Sequence, residues 1–192
     1  MRPDYFWYFL IYAFAGYLLE TLFNFARTGE LQSRKCRLFL PICPVYGFGV
    51  AVFLLLPDAW KSSYTGIFLC GFFATTAVEY CAAVYYEKIG VQFWDYSDVP
   101  GHIKGRVCLP FSLVWGGLCI LLYNNINPHI SDIVSRIPPE SALPAAVIFI
   151  ADTCISMYLL MAYGRDSIKL NHFFSRAGAV INRPRKKHRQ IL

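Results

Sequence analysis

Glu20, Glu79 and Asp152 are single acids set inside long apolar runs, where a charge is costly. A central Asp in hydrocarbon costs about 2.5 to 3.5 kcal/mol on insertion scales. Such side chains therefore face inward and are paired, protonated or wet. Each can serve as an ion or proton acceptor, or as a hydrogen-bonding residue that fixes helix packing. Gly16 and Ala13 precede Glu20 at one-turn spacing, and small residues so spaced let a second helix approach closely.

A second group lies in the polar stretch Phe93 to Arg106, FWDYSDVPGHIKGR, between two apolar runs. Asp95 stands between Trp94 and Tyr96, and Lys104 and Arg106 follow a turn at Pro100-Gly101. An Asp95 to Arg106 ion pair would latch the loop on itself, and the same two residues could instead contact a substrate. His102 could shuttle a proton near neutral pH, or simply be solvated. Trp94 and Tyr96 read as interface anchors, and Glu87-Lys88 as the membrane edge before the loop.

The elements that must position these groups are membrane helices. Hydrophobic residues make up 56% of the 192-residue chain and charged residues only 16%, a balance that points away from a water-soluble globule. Five runs approach the roughly 20 residues needed to cross about 30 Å of hydrocarbon: 5–26, 41–56, 64–86, 107–125 and 142–163. The fold expected is an all-α polytopic bundle of about five transmembrane helices, with residues 1–163 as the membrane domain and 164–192 as a basic tail. Ala13-Phe14-Ala15 has the form of a signal-peptidase site, but the apolar run continues past it, so the first segment is read as a retained span. With the N-terminus outside and the C-terminus inside, 15 of the 18 Lys and Arg residues fall on the cytoplasmic side.

The second run is the shortest. Pro41, Pro44, Gly47 and Gly49 at its start, with Tyr46 among them, predict a short or interrupted helix. A helix beginning at membrane depth would aim its positive dipole end into the protein; an ordinary Pro-started helix with close glycine packing is the plainer reading. The stretch Asn124 to Ser141, with Pro128, Pro138 and Pro139, is expected to be a loop.

Composition also sets aside several classes. The net charge of +6 comes from basic residues beside spans and in the tail Arg183 to Arg189, which fits anionic lipid or a purely topogenic role better than nucleic acid. The seven cysteines include no C-x-x-C pair, so neither a metal site nor a cofactor is expected. No P-loop, G-x-S-x-G, H-E-x-x-H or G-x-G-x-x-G motif is present.

Two blocks carry a resemblance. Gly16-Tyr17-Leu18-Leu19-Glu20 with Pro41-Ile42-Cys43-Pro44-Val45-Tyr46-Gly47-Phe48-Gly49 is similar to the G-W-x-x-E and G-P-x-C-P-I-Y-G-x-G of the CmpB-like ABC-transporter type IV family. Glu79-Tyr80, Glu87-Lys88, Trp94-Asp95-Tyr96-Ser97, Gly105-Arg106-Val107-Cys108-Leu109, Trp115-Gly116 and Pro128 follow in the family's order. The chain resembles the animal transmembrane protein 229 group as well. It departs from the pattern at Arg34 to Leu40, where the family reads N-R-G-F-L-Y-G, and at His102, where an Asn is usual; Arg37 or Lys35 could supply the missing arginine's charge.

The resemblance implies a permease-like membrane component, of a bacterial inner membrane, with any ATPase supplied by a separate subunit. The leading expectation is a small transport protein with an acidic pocket toward the cytoplasmic half of the bilayer. Glu20, Tyr46, Glu79, Asp95 and Arg106 would form its pathway, supported by Pro41, Pro44, Gly47, Glu87, Trp94, Tyr96 and His102, with the 93–106 loop as its lid. A chain this small could form a homo-oligomer to enclose a pathway. The alternatives are a membrane enzyme or binding protein for a lipid headgroup, with Asp95 or Glu87 as base and Arg106 on a phosphate, and a non-catalytic subunit that docks a partner. No nucleophile and base pair is recognisable for the enzyme reading.

Overall fold

A computed structural model describes residues 3–29 and 39–163. The basic tail, and the segment holding Arg34, Lys35, Cys36 and Arg37, lie outside the described residues. Among the described residues six α-helices follow in order: α1 (Pro3–Thr28), α2 (Pro44–Leu55), α3 (Tyr64–Lys88), α4 (Leu109–Leu121), α5 (Asn127–Ser135) and α6 (Ala142–Tyr163). A two-residue antiparallel ribbon, β1 (His102–Ile103) and β2 (Val107–Cys108), lies between α3 and α4.

Among the described residues, four helical stretches are long and apolar enough to cross a membrane: 4–26, 64–88, 109–135 and 139–162. The chain is therefore a helical membrane bundle, with the short α2 as its fifth helix. Many large apolar side chains, among them Leu22, Phe73, Leu143 and Val147, point outward, which in hydrocarbon carries no penalty.

At 12 residues, α2 is about 18 Å long, well short of about 30 Å of hydrocarbon. It starts beside the middle of α1, where the Cys43 N–H donates to the Ala13 carbonyl at 2.8 Å. From there it runs back toward the start of α1. Gly47 packs against the Phe9 backbone, and a Cβ there would collide with the Phe9 carbonyl oxygen. Gly16 plays the reciprocal part on α1, since a Cβ would overlap the Tyr46 ring. The segment leading into α2 is tied down by Asp152 of α6, whose Oδ1 accepts from the Leu40 N–H at 3.1 Å.

The stretch 124–141 is largely helical, against the loop expected from its prolines. A π-turn at Leu122–Ile126 joins α4 directly to α5. Pro128 lacks an N–H, and its ring would collide with the carbonyl four residues earlier; the widened turn just before it absorbs that conflict without ending the helix. Tyr12 of α1 braces this turn, its hydroxyl donating to Asn127 Oδ1 at 3.1 Å.

Phe53, Ile67, Cys70, Ala74 and Cys119 form a core cluster among α2, α3 and α4. At the end of α2, buried Lys61 donates to the Leu54 carbonyl at 3.0 Å, pairs with Asp58 at 3.1 Å and lies over the Phe53 and Tyr123 rings. Its charge thereby meets the negative end of the α2 dipole.

Candidate functional site

Glu20 and Glu79 project from α1 and α3 into one polar layer joined by aromatic side chains. Tyr46, in the first turn of α2, donates its hydroxyl to Glu20 Oε1 at 2.7 Å. Its ring meets the Trp115 ring of α4 edge to face, with centroids 5.3 Å apart. Trp115 Nε1 donates to Glu79 Oε2 at 3.0 Å, and the Tyr96 hydroxyl donates to Glu79 Oε1 at 2.9 Å. Both oxygens of Glu79 thus accept a hydrogen bond, and the residue is buried. Burying a carboxylate is tolerable only with such donors.

The start of α2 makes this layer possible. Because that helix begins at mid-depth, Tyr46 can reach Glu20 one turn beyond Gly16. On the other side, α3 and α4 are held in register by Thr76 Oγ1 donating to Ser112 Oγ at 2.8 Å, which sets Trp115 opposite Glu79. An adjoining cavity of about 190 Å³ is lined by Glu79, Tyr46, Trp115, Trp94, Thr75 and Tyr12 together with mostly apolar side chains.

The loop after α3 folds back onto this layer. Val91, Tyr96, Val107 and Cys108 are buried beneath it, and the Tyr96 N–H donates to the Gly105 carbonyl at 2.8 Å. Burial, then the charge of Glu79, raises the pKa of the Tyr96 phenol well above its ordinary value, which keeps it a donor. The ribbon turns through Lys104 and Gly105, both with positive φ (52° and 69°). His102 Nδ1 accepts from the Gly105 N–H at 3.0 Å, so its place is in the turn.

The latch exists, with a different partner from the one expected. Arg106 pairs with Glu87 at 2.6 Å, where Asp95 was anticipated. Its Nε also donates to Glu87, its Nη1 donates to the Tyr80 hydroxyl at 2.8 Å, and its guanidinium lies over the Tyr80 ring. Trp94 Nε1 donates to the Arg106 carbonyl at 2.8 Å. Asp95 is exposed, and its Oδ1 accepts from the Ser97 N–H at 2.9 Å and the Ser97 hydroxyl at 2.5 Å. Those bonds hold its carboxyl below the usual Asp range, the hydroxyl contributing most.

Glu20, Tyr46 and Glu79 therefore converge, and Tyr96 joins them from the 93–106 loop. Arg106 and Glu87 clamp this loop, Asp95 and His102 shape its turns, and Pro44 and Gly47 seat α2, while Pro41 is exposed ahead of it. Trp115 and Tyr80 were not picked out as site residues from the sequence. The signal for Trp115 was an indole N–H inside an apolar run, a donor that requires a partner when buried.

Fold and site together define a polytopic helical membrane protein with a half-length helix and a layer holding the buried Glu79 and the half-buried Glu20. The chain belongs to the family described as Putative ABC-transporter type IV, whose model matches residues 7–159. No curated protein and no solved structure matches the chain.

Proposed function

We propose that this protein is a permease-like transport component whose path passes the Glu20 and Glu79 layer, with the 93–106 loop as its lid. The observation that carries the reading is the Glu20–Tyr46–Trp115–Glu79–Tyr96 succession, which joins two acids from separate helices to a loop residue. Acids inside membrane segments mark ion and proton paths, and two carboxylates near one another can share a proton. Tyr46, Trp115 and Tyr96 orient the acids, while the Arg106 and Glu87 clamp sets how readily the lid lifts. The distribution of basic residues favours the cytoplasmic half of the bilayer for this layer.

Proton flux into dye-loaded proteoliposomes, driven by a potassium diffusion potential, tests this. The wild-type protein should exceed empty vesicles, and Glu20→Gln with Glu79→Gln should lower the flux at least about ten-fold, as for a removed relay group. Flux unchanged in the double variant would remove the acidic path.

A second reading, a membrane subunit for a separate ATPase, is favoured by the family's description as an ABC-transporter. Stoichiometric co-purification of an ATPase supports it.

A further inference from the structure

The cavity beside Glu79 has a lining that selects by charge. Four aromatic rings line it, those of Tyr12, Tyr46, Trp94 and Trp115, drawn from α1, α2, the 93–106 loop and α4. Glu79 is the one charged residue among the described lining residues, and no Lys, Arg or His joins it. The Tyr46 hydroxyl holds the second carboxylate, Glu20, at 2.7 Å. A recess that carries one sign of charge within apolar walls concentrates ions of the opposite sign.

The donors of the lining are committed inside the protein. Tyr46 donates to Glu20, Trp115 to Glu79, Trp94 to the Arg106 carbonyl and Tyr12 to Asn127. Thr75 donates to the Gly71 carbonyl at 2.7 Å. A ligand therefore meets the rings themselves, and an anion would find neither a basic side chain nor one of these donors. The Tyr46 and Trp115 rings stand at 90° to each other with centroids 5.3 Å apart, so they form a corner. Such a surface suits a cation, which the negative face of an aromatic ring attracts within about 6 Å of its centroid.

Size and hydrogen bonding narrow the cation. An apolar cavity of about 150 Å³ admits benzene, so one of about 190 Å³ takes a group only slightly larger. A primary ammonium would bring three N–H donors that each need an acceptor, and Glu79 already receives bonds from Trp115 and Tyr96. A quaternary ammonium brings none and packs its methyl groups against rings. A phosphocholine headgroup would add a phosphate, which calls for a basic partner that the lining does not supply.

We propose that this cavity binds a compact, free quaternary ammonium ion of about the size of choline, its charge met by the glutamate layer and its methyl groups by the Tyr and Trp rings. The inference rests on the reading of that layer as the functional site and names its ligand.

The test is equilibrium binding of tritiated choline to the full chain in phosphatidylglycerol nanodiscs, with empty nanodiscs subtracted. Unlabelled choline should compete at least about ten-fold better than 3,3-dimethyl-1-butanol, which has carbon in place of the charged nitrogen, the scale of a desolvated cation–π site. Glu79→Gln should erase that preference. Trp94→Leu should weaken choline binding about five-fold, the scale of one cation–π contact, and Trp94→Phe less, since both lose the bond to Arg106 but only phenylalanine keeps a ring. If Glu79→Gln does not fold, the neutral competitor and the Trp94 pair decide. Equal competition by the alcohol, or equal losses in the two Trp94 variants, would overturn the proposal. Loss of choline binding when phosphatidylcholine is mixed into the nanodiscs would overturn the free ion in favour of a lipid headgroup. Binding is read without flux: choline selectivity in a protein that conducts no protons would sink the acidic path alone, and proton flux without choline selectivity would sink the ligand alone.

Discussion

Tyr96, a loop residue, places its hydroxyl 2.9 Å from Oε1 of Glu79, buried in α3. This bond couples the 93–106 loop to the acid layer, because the residues flanking Tyr96 cannot move outward while it holds. The same geometry makes the loop sensitive to high pH.

Tyr96→Phe removes one donor from a buried carboxylate and should cost about 1–3 kcal/mol of stability. The phenol's pKa is raised by burial and then by Glu79, so its contribution is complete below the unfolded value of about 10 and declines as pH rises above it. Thermal unfolding in detergent should therefore show a smaller alkaline loss for Tyr96→Phe than for the wild type. Parallel alkaline limbs would contradict the assignment, since the remaining tyrosines are common to both proteins.

The Arg106 clamp should depend on guanidinium shape as well as charge. Lysine cannot hold the Glu87 fork and contact Tyr80 together. Arg106→Lys should speed amide exchange across residues 93–106 by up to about five-fold, the scale of a partly exposed ion pair, with Glu87→Gln giving a smaller change. Exchange in α6 should not respond.

Gly47→Ala should lower stability by about 1–3 kcal/mol, because the methyl meets the Phe9 backbone and forces α2 away from α1. Gly117→Ala is the matched control: nothing lies within 4 Å of its Cβ position, and helix propensity favours alanine by about 1 kcal/mol. Equal effects in a thermal shift assay would show that propensity, and not close approach, governs both sites.

Asp95→Asn should leave the loop in place, since an amide oxygen can accept the same Ser97 bonds. Because the Asp95 pKa is lowered in the folded protein, its contribution is present above the unfolded value of about 3.9 and is lost as pH falls through the folded value. Asp95→Asn should flatten that acid limb of loop exchange, and Asp95→Ala should open the turn at all pH values. A transport defect in Asp95→Asn with an unchanged loop would instead give the carboxylate a role in the path.

Much of the bundle was legible from hydropathy. The run at 142–163 matches α6 at both ends, and those at 5–26 and 64–86 fall within two residues of α1 and α3. Helix α4 with α5 was not, because Pro128 reads locally as a breaker and only a π-turn, braced by Tyr12 against Asn127, lets the helix continue. In the site, the cost of an acid in hydrocarbon was enough to single out Glu20 and Glu79. Of the two readings of Asp95 and Arg106, the mutual ion pair is not the one formed: Asp95 is nearer in sequence, but the helical path of α3 brings Glu87 to Arg106 in space.

The residues alone determined that this chain is a helical membrane protein and that its second helix is short, because apolar length and Pro/Gly placement act locally. They also determined which acids needed partners. The tertiary structure decided which partners those are: Tyr46 for Glu20, and Trp115 and Tyr96 for Glu79, at separations of 26, 36 and 17 residues. A hydrogen bond forms only within about 3 Å, so it depends on where whole helices come to rest, a property that no local stretch of sequence carries.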